Sequence, residues 1–173
     1  MIMDTTWRIR PPGLEDYDPQ YGKISYVGMR VLDVGADYGS TADYFLRRGA
    51  REVIAVEANE YYYNILCENA KEVAGIVPVF MSVSTGADAS CLLQEYKPDV
   101  LKVDCEGCER AFLLVEDWLF ALPQAWVVET HSPELEASFL DAFERIGYRV
   151  LDVSCHALLT FGRVRVISAT RIT

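Results

Sequence analysis

Positive charge is scarce in this chain. Sixteen Lys and Arg stand against 26 Asp and Glu, a net charge of −10. A chain so acidic gains no overall counterion-release affinity for phosphate backbones, so nucleic acid is disfavoured as a partner. A local basic face built from Arg47, Arg48, Arg51, Lys71, Arg163 or Arg165 would be the remaining route to RNA. Long apolar runs are missing too. None approaches the ~18 residues of a membrane span, which leaves no transmembrane segment to expect. Met1 to Arg10 has no apolar core of a secretory signal, and the five cysteines are odd in number. A reducing, cytoplasmic location is therefore the default expectation, with a thermophile's intracellular disulfide as the exception. Glycine-rich, proline-rich and low-complexity tracts are absent, as are internal repeats and linkers, which excludes disorder and a second domain. What remains is a 173-residue chain, 51% hydrophobic, long enough for one well-buried core.

From about residue 30 strands and helices alternate. Arg30–Val34 is a short apolar strand, Tyr38–Arg48 a helix closed by Gly49, and Glu52–Glu57 the next strand. Asn59 caps a helix running to about Val73, ended by Gly75. Val77–Val83 is the third strand, Ala87–Tyr96 a helix, and Val100–Asp104 the fourth strand. Glu109–Ala121 carries Ala111, Phe112, Val115 and Leu119 at helical spacing. Ala125–Glu129 is a fifth strand, and Pro133–Ile146 a helix with Pro in its first turn. Tyr148–Val153 and Ala157–Ile167 are two strands joined only by Ser154-Cys155-His156, hence an antiparallel hairpin, with His156 read as structural. Residues 1–29 break the rhythm. They hold Pro11-Pro12-Gly13 and the aromatics Trp7, Tyr17, Tyr21 and Tyr26, and read as an arm docked on the sheet or a lid over a ligand.

The most informative stretch is Val31-Leu32-Asp33-Val34-Gly35-Ala36-Asp37-Tyr38-Gly39, with Glu57 ending the next strand. A strand, a glycine turn and a helix start let backbone approach a ligand, and a carboxylate on the second strand tip suits two ribose hydroxyls. The dinucleotide pattern G-x-G-x-x-G is not met: Asp37 stands where a side chain obstructs a diphosphate. Asp33 and Asp37 make the turn acidic, which suits the ammonium and sulfonium of S-adenosylmethionine. A nicotinamide-dependent oxidoreductase is the rival reading, and Asp37 and the short chain count against it. Tyr61-Tyr62-Tyr63 places one ring in the core and another over the adenine edge, while Ser82 and Val83 end the third strand, with Asp88 a weak adenine candidate.

A second cluster follows the fourth strand. Asp104, Glu106 and Glu109 fall within six residues, beside the glycine turn by topology. Such acids are costly to desolvate unless they hold a cation, a proton or a ligand, although helix N-termini attract acids in any case. An acceptor losing a proton during methyl transfer needs a nearby base, and a carboxylate could serve. Lys102 shares the face of Asp104 and is placed to pair with Asp104 or Glu106. Glu129 and His131 end the fifth strand on one face, and His131 could act as a base near neutral pH or be an ordinary surface histidine. Cys105-Glu106-Gly107-Cys108 lacks the second ligand pair of a zinc site, so metal or redox use is the minor reading. Magnesium or calcium on Asp104, Glu106 and Glu129 is a better-matched oxygen set.

Three segments, Val31–Ala36, Leu101–Glu109 and Val127–His131, resemble the class I S-adenosylmethionine-dependent methyltransferases from about Arg30 to the C-terminus. Within these the chain is similar to the FkbM-type family, whose signature Lys-x-Asp-x-Glu-Gly-x-Glu is complete at Lys102, Asp104, Glu106, Gly107 and Glu109. The resemblance implies an α/β, Rossmann-like fold: a seven-stranded, mostly parallel sheet in the order 3-2-1-4-5-7-6, with a C-terminal antiparallel hairpin. It implies methyl transfer, most often to a hydroxyl oxygen of a small molecule or glycan. Cofactor contacts would fall on Asp33, Gly35, Ala36, Asp37, Gly39, Glu57, Ala58, Ser82, Val83 and Asp104. Asp104, Glu106, Glu129 and His131, with Lys102, would position or deprotonate the acceptor. The chain departs from the family at Asp37, where an amide is common, and in its short N-terminal extension. Little material is left for an acceptor pocket, which a homo-oligomer partner or a large docked acceptor would complete. An RNA or protein methyltransferase, or a nucleotide-binding module without catalysis, are the alternatives.

Overall fold

The structure is a computed structural model that describes residues 17–159 and 162–172. A short helix α1 (Asp18–Tyr21) precedes β1 (Arg30–Val34), α2 (Ser40–Arg47), β2 (Glu52–Glu57), α3 (Glu60–Glu72) and β3 (Ile76–Phe80). Then come α4 (Gly86–Tyr96), β4 (Val100–Val103), α5 (Glu109–Phe112), α6 (Asp117–Phe120), β5 (Ala125–Thr130), α7 (Pro133–Ile146), β6 (Tyr148–Leu159) and β7 (Gly162–Arg171). One seven-stranded sheet runs in the order β3-β2-β1-β4-β5-β7-β6. β1 to β5 pair in parallel, and β7 runs antiparallel to both β5 and β6. This is the Rossmann-like methyltransferase fold with its terminal hairpin.

Period-two alternation along the central strands sorts residues onto two faces. Leu32, Val34, Ile54, Val56, Leu101, Val103, Trp126 and Val128 join one buried cluster with Phe112, Leu119, Phe120, Phe139 and Phe143. Val31, Val53, Ala55, Val100 and Val127 join the other with Tyr21, Tyr26, Tyr44 and Phe45. The second face also carries Asp33 and Lys102, which stand opposite each other in the β1–β4 register. That pairing places a buried charge couple directly beneath the glycine turn.

Several boundaries differ from expectation for physical reasons. Glu109–Ala121 is not one helix but two, α5 and α6, separated at Leu113–Glu116. Ala111, Phe112, Val115 and Leu119 are all buried nonetheless, so the apolar spacing is satisfied without a continuous helix. Gly86 explains the local crowding, because a Cβ there would lie 2.9 Å from the Leu114 Cβ. β3 ends at Phe80 rather than Val83, since its last register partner is Glu57, where β2 stops. Ser154, Cys155 and His156 form no turn; they continue β6, whose register shifts at Val150/Asp152 and Cys155/Ala157. A bulge interrupts the alternation much as a turn does.

Of the N-terminal arm, Trp7 and Pro11-Pro12-Gly13 lie outside the described residues. Tyr17 stacks on Tyr21 at 5.6 Å, and Tyr26 packs on Phe45 at 4.8 Å. The Tyr26 hydroxyl donates to the Tyr21 carbonyl at 2.7 Å, so this tyrosine cluster docks the arm against α2.

Candidate active site

A cleft of about 890 Å³ opens at the carboxyl ends of β1, β2 and β4, where ligands settle in open α/β sheets. Gly35, Asp37, Glu57, Ala58, Ser82, Val83 and Asp104 line it, as do Asn59, Tyr62, Met81, Ser84 and the loop Cys105–Cys108. Asp33, Ala36 and Gly39 do not. Asp33 and Ala36 are fully buried behind the turn, and Gly39 takes a left-handed conformation at the N-cap of α2.

The turn is shaped by close backbone packing. At Gly35 (φ +80°) a Cβ would come within 1.8 Å of the Asp104 carbonyl oxygen, so glycine is required there. Asp37 is also left-handed, at φ 52°. Its amide donates to Glu57 Oε2 at 2.8 Å, and the Asn59 amide donates to Glu57 Oε1 at 2.7 Å. Each carboxylate oxygen retains a lone pair, so Glu57 braces the turn while keeping acceptor capacity toward the cleft. Asn59 caps α3, its side chain accepting from the amides of Tyr61 and Tyr62. Tyr62 lines the cleft, Tyr61 is exposed, and Tyr63 packs on Phe80 at 5.0 Å. Asp88 is spoken for by a capping box with Thr85 and does not line the cleft.

Beneath the turn lies a buried ion pair. Lys102 Nζ sits 2.9 Å from Asp33 Oδ1 and donates to the Gly35 carbonyl at 2.7 Å. Its distance to Asp104 Oδ2 is 3.8 Å. Of the two expected partners Asp104 is within reach and Glu106 turns outward, while the strand register adds Asp33, side by side with Lys102, as the nearer one. Thr41 Oγ1 donates to Asp33 Oδ2 at 2.6 Å. Burial pushes the Asp33 carboxyl up, opposed by Lys102 and Thr41. Burial works against the Lys102 ammonium as well, but Asp33, Asp104 and Glu129 outweigh it and hold it charged. Lys102 thus ties β4 to the glycine turn.

On the far side of Asp104, His131 stands among carboxylates. Its Nδ1 is 3.3 Å from Glu109 Oε1, and its Nε2 is 3.5 Å from Glu106 Oε2 and 3.8 Å from Glu129 Oε1. Glu109 beside it pushes His131 up to about 9, against burial and with help from Glu106 and Glu129. An imidazole held up in this way favours its protonated form at neutral pH. Burial opposes ionisation of Glu109, yet His131 and the Cys105 amide hold its carboxyl below the usual range. Carboxylate oxygens of Asp104 and Glu106 and a ring nitrogen of His131 lie within 4.8 Å of one another, a set that would take a cation only with the imidazole deprotonated.

Two features escaped the sequence. The Tyr21 hydroxyl donates to Asp104 Oδ2 at 3.4 Å, bringing the arm to the site. Burial raises the Tyr21 phenol well above its ordinary range, and Asp104 adds to the effect. The aromatic density of the arm was the only signal for it. Cys105 and Cys108 form a disulfide, where the sequence had made metal or redox use of the pair the minor reading. Beyond the site, five residues of the suggested basic face are paired, the Arg163 side chain lying outside the described residues. Arg47 meets Asp43, Arg48 Asp18, Arg51 Glu52 and Asp99, Lys71 Glu68, and Arg165 Glu136. Among the described residues no helix is long and apolar enough to cross a membrane.

No protein-family model matches the chain. It is 34% identical over 106 residues to uncharacterized protein 65 of Sulfolobus islandicus filamentous virus, covering 55% of this chain and 56% of that protein. It is 30% identical over 96 residues to uncharacterized protein 158B of Sulfolobus islandicus rod-shaped virus 1, covering 55% and 58%. The chain thus spans just over half the length of these curated relatives. Among solved structures, a precorrin-6y C5,15-methyltransferase of Geobacter metallireducens superposes with a TM-score of 0.63 at 17% identity, over 99% of this chain and 98% of that one. Magnesium protoporphyrin IX methyltransferase of Synechocystis, with bound S-adenosylmethionine, gives 0.58 at 19% identity over 85% and 72%. Fibrillarin of Aeropyrum pernix, also with S-adenosylmethionine bound, gives 0.58 at 15% over 83% and 67%. These likenesses define the class of fold, that of the Rossmann-like methyltransferases.

Proposed function

We propose that this chain is an S-adenosylmethionine-dependent methyltransferase, acting most readily on a hydroxyl oxygen of a small molecule or glycan. The observation that carries the reading is the cleft bounded by Glu57, Asp37 and Asp104 around the Gly35 turn. Its volume suits a nucleoside-sized ligand. Four carboxylates, Asp37, Glu57, Asp104 and Glu106, and among the described residues no cationic side chain on its lining match a sulfonium and an ammonium, and repel a diphosphate. Met81, Val83 and Tyr62 give an apolar surface beside Ser82 for an adenine. When bound, the cofactor supplies an electrophilic methyl group.

The chain's own residues would do the rest. Glu57 accepts from ribose hydroxyls while bracing Asp37 and Asn59. Asp104, at the seam between cleft and acceptor side, takes up the acceptor proton or orients its hydroxyl, steadied by Tyr21 and Lys102. Glu129, 8% exposed at its side chain, is the second carboxylate there. His131, as a cation, positions Glu106 and Glu109 rather than accepting a proton. Lys102 and Asp33 shape the turn from below. The FkbM-type assignment rests on the Lys102–Glu109 signature and the Glu129/His131 pair.

Calorimetric titration with S-adenosylhomocysteine tests the reading. Wild type should bind at micromolar concentration, and Glu57→Ala should lose at least about tenfold in affinity, with NADH giving no heat in either. No binding to wild type, or binding unaffected by Glu57→Ala, would sink it.

A further inference from the structure

The Cys105–Cys108 disulfide closes a ring around the two residues that carry the cleft's lip, Glu106 and Gly107. Both are left-handed, Glu106 at φ 55° and Gly107 at φ 127°. For a glutamate this conformation is unfavourable and persists only where the surroundings impose it. On one side the loop is anchored to the sheet by the Asp104 amide on the Val34 carbonyl at 3.0 Å. On the other, the Cys105 amide donates to Glu109 Oε1 at 3.2 Å. Glu106 itself has 84% of its side chain exposed, and its contact along the loop is the 3.5 Å approach to His131. Between the anchors, the disulfide is the covalent restraint on the backbone at the lip.

Both cysteines are half-buried and line the same cleft, so a reductant reaches the sulfurs through the opening that a ligand would fill. We propose that Cys105–Cys108 is a redox latch on the cleft: oxidised, it holds the lip in its ligand-bearing shape, and reduction by a dithiol releases it and weakens binding. The step balances as thiol–disulfide exchange. One thiolate of the dithiol attacks a cysteine sulfur, breaking the S–S bond and leaving a mixed disulfide. The second thiol displaces it, so two electrons and two protons pass to Cys105 and Cys108 and the dithiol leaves as its own disulfide. Because ligand and reductant compete for one opening and one loop conformation, the coupling is reciprocal: a bound ligand protects the disulfide. The latch regulates the site proposed above and, for its ligand probe, rests on that reading.

The test uses the full chain before and after dithiothreitol, with S-adenosylhomocysteine as probe and amide hydrogen exchange of residues 104–109 as a ligand-free readout. Free thiols should rise from three to five on reduction. The dissociation constant should rise about tenfold, within the usual range of coupling between sites. Exchange over residues 104–109 should quicken, and saturating S-adenosylhomocysteine should slow the reduction. The double variant Cys105→Ser/Cys108→Ser should match reduced wild type and ignore dithiothreitol. Should that variant not fold, the oxidised and reduced wild-type protein still decide the matter. Five thiols before reduction, unchanged exchange, or affinity that is equal or tighter after reduction would each overturn the latch. If S-adenosylhomocysteine binds neither form, the cofactor reading fails, and hydrogen exchange alone then judges the latch.

Discussion

Replacing Lys102 by methionine should be among the most damaging single changes to this fold. The substitution keeps the length of the side chain but leaves Asp33, fully buried, with Thr41 as its remaining side-chain donor. It also strips the Gly35 carbonyl of its ammonium donor at 2.7 Å. Removing one partner of a buried ion pair costs about 3–5 kcal/mol, because the other charge is left without compensation. In a domain of this size each kcal/mol moves the melting temperature by about 2–4 °C, so the expected loss is roughly 6–20 °C. Urea unfolding and calorimetry would measure it. The double variant Asp33→Asn/Lys102→Met removes the orphaned charge while keeping an acceptor for Thr41, and should recover at least half of the loss.

The pH dependence follows with a definite sign. Without Lys102, burial of Asp33 is opposed only by the Thr41 hydrogen bond, so its folded pKa lies above the unfolded value of about 3.9. A carboxyl raised in this way favours the folded state when protonated, and that gain is lost as pH rises through the folded pKa. The deficit of Lys102→Met relative to wild type should therefore narrow on acidification from about pH 8 to pH 5, and not in the double variant. The reasoning is refuted if Lys102→Met lies within about 1 kcal/mol of wild type, or if the double variant is no more stable than the single one.

Two further outcomes follow from the same geometry. His131, held up to about 9, contributes stability that is fully present below its unfolded pKa of about 6.5 and is lost as pH rises through about 9. His131→Gln should flatten the stability profile across that window, and a side-chain NMR titration should place the midpoint near 9, not near 6.5. Gly35→Ala sets a methyl 1.8 Å from the Asp104 carbonyl in a left-handed turn. It should cost about 2 kcal/mol or more in stability, and ligand binding should fall with it; denaturant unfolding within about 0.5 kcal/mol of wild type would refute that packing.

Much of this molecule is written locally. Glu52–Glu57 and Pro133–Ile146 match their elements end for end, because an apolar run and a first-turn proline are nearest-neighbour signals, as is the Asn59 cap of α3. The burial of Ala111, Phe112, Val115 and Leu119 was legible from spacing, but the break between α5 and α6 was not, since it depends on Leu114 meeting Gly86 of another element. The bulged β6 misled for a related reason: a register shift looks like a turn when only one strand is read. At the site, Gly35, Asp37, Glu57 and Asp104 were readable as one cleft because topology fixes where β1, β2 and β4 end. Asp104 was also readable as a partner of Lys102, but the nearer partner Asp33 was not, because cross-strand register decides it. Tyr21 reaches Asp104 only through the docking of the arm, and the protonation of His131 depends on three carboxylates from different segments converging on it.

The central claim is that the cleft around Gly35 takes an S-adenosyl nucleoside between Glu57 and Asp104. Amide chemical-shift mapping during titration with S-adenosylhomocysteine tests it most directly, because it reads both binding and place. The expected result is saturable shifts at Gly35, Asp37, Glu57, Ala58, Ser82, Val83 and Asp104, with β6 and β7 unmoved. An absence of shifts at millimolar ligand, or shifts confined to another face, would contradict it.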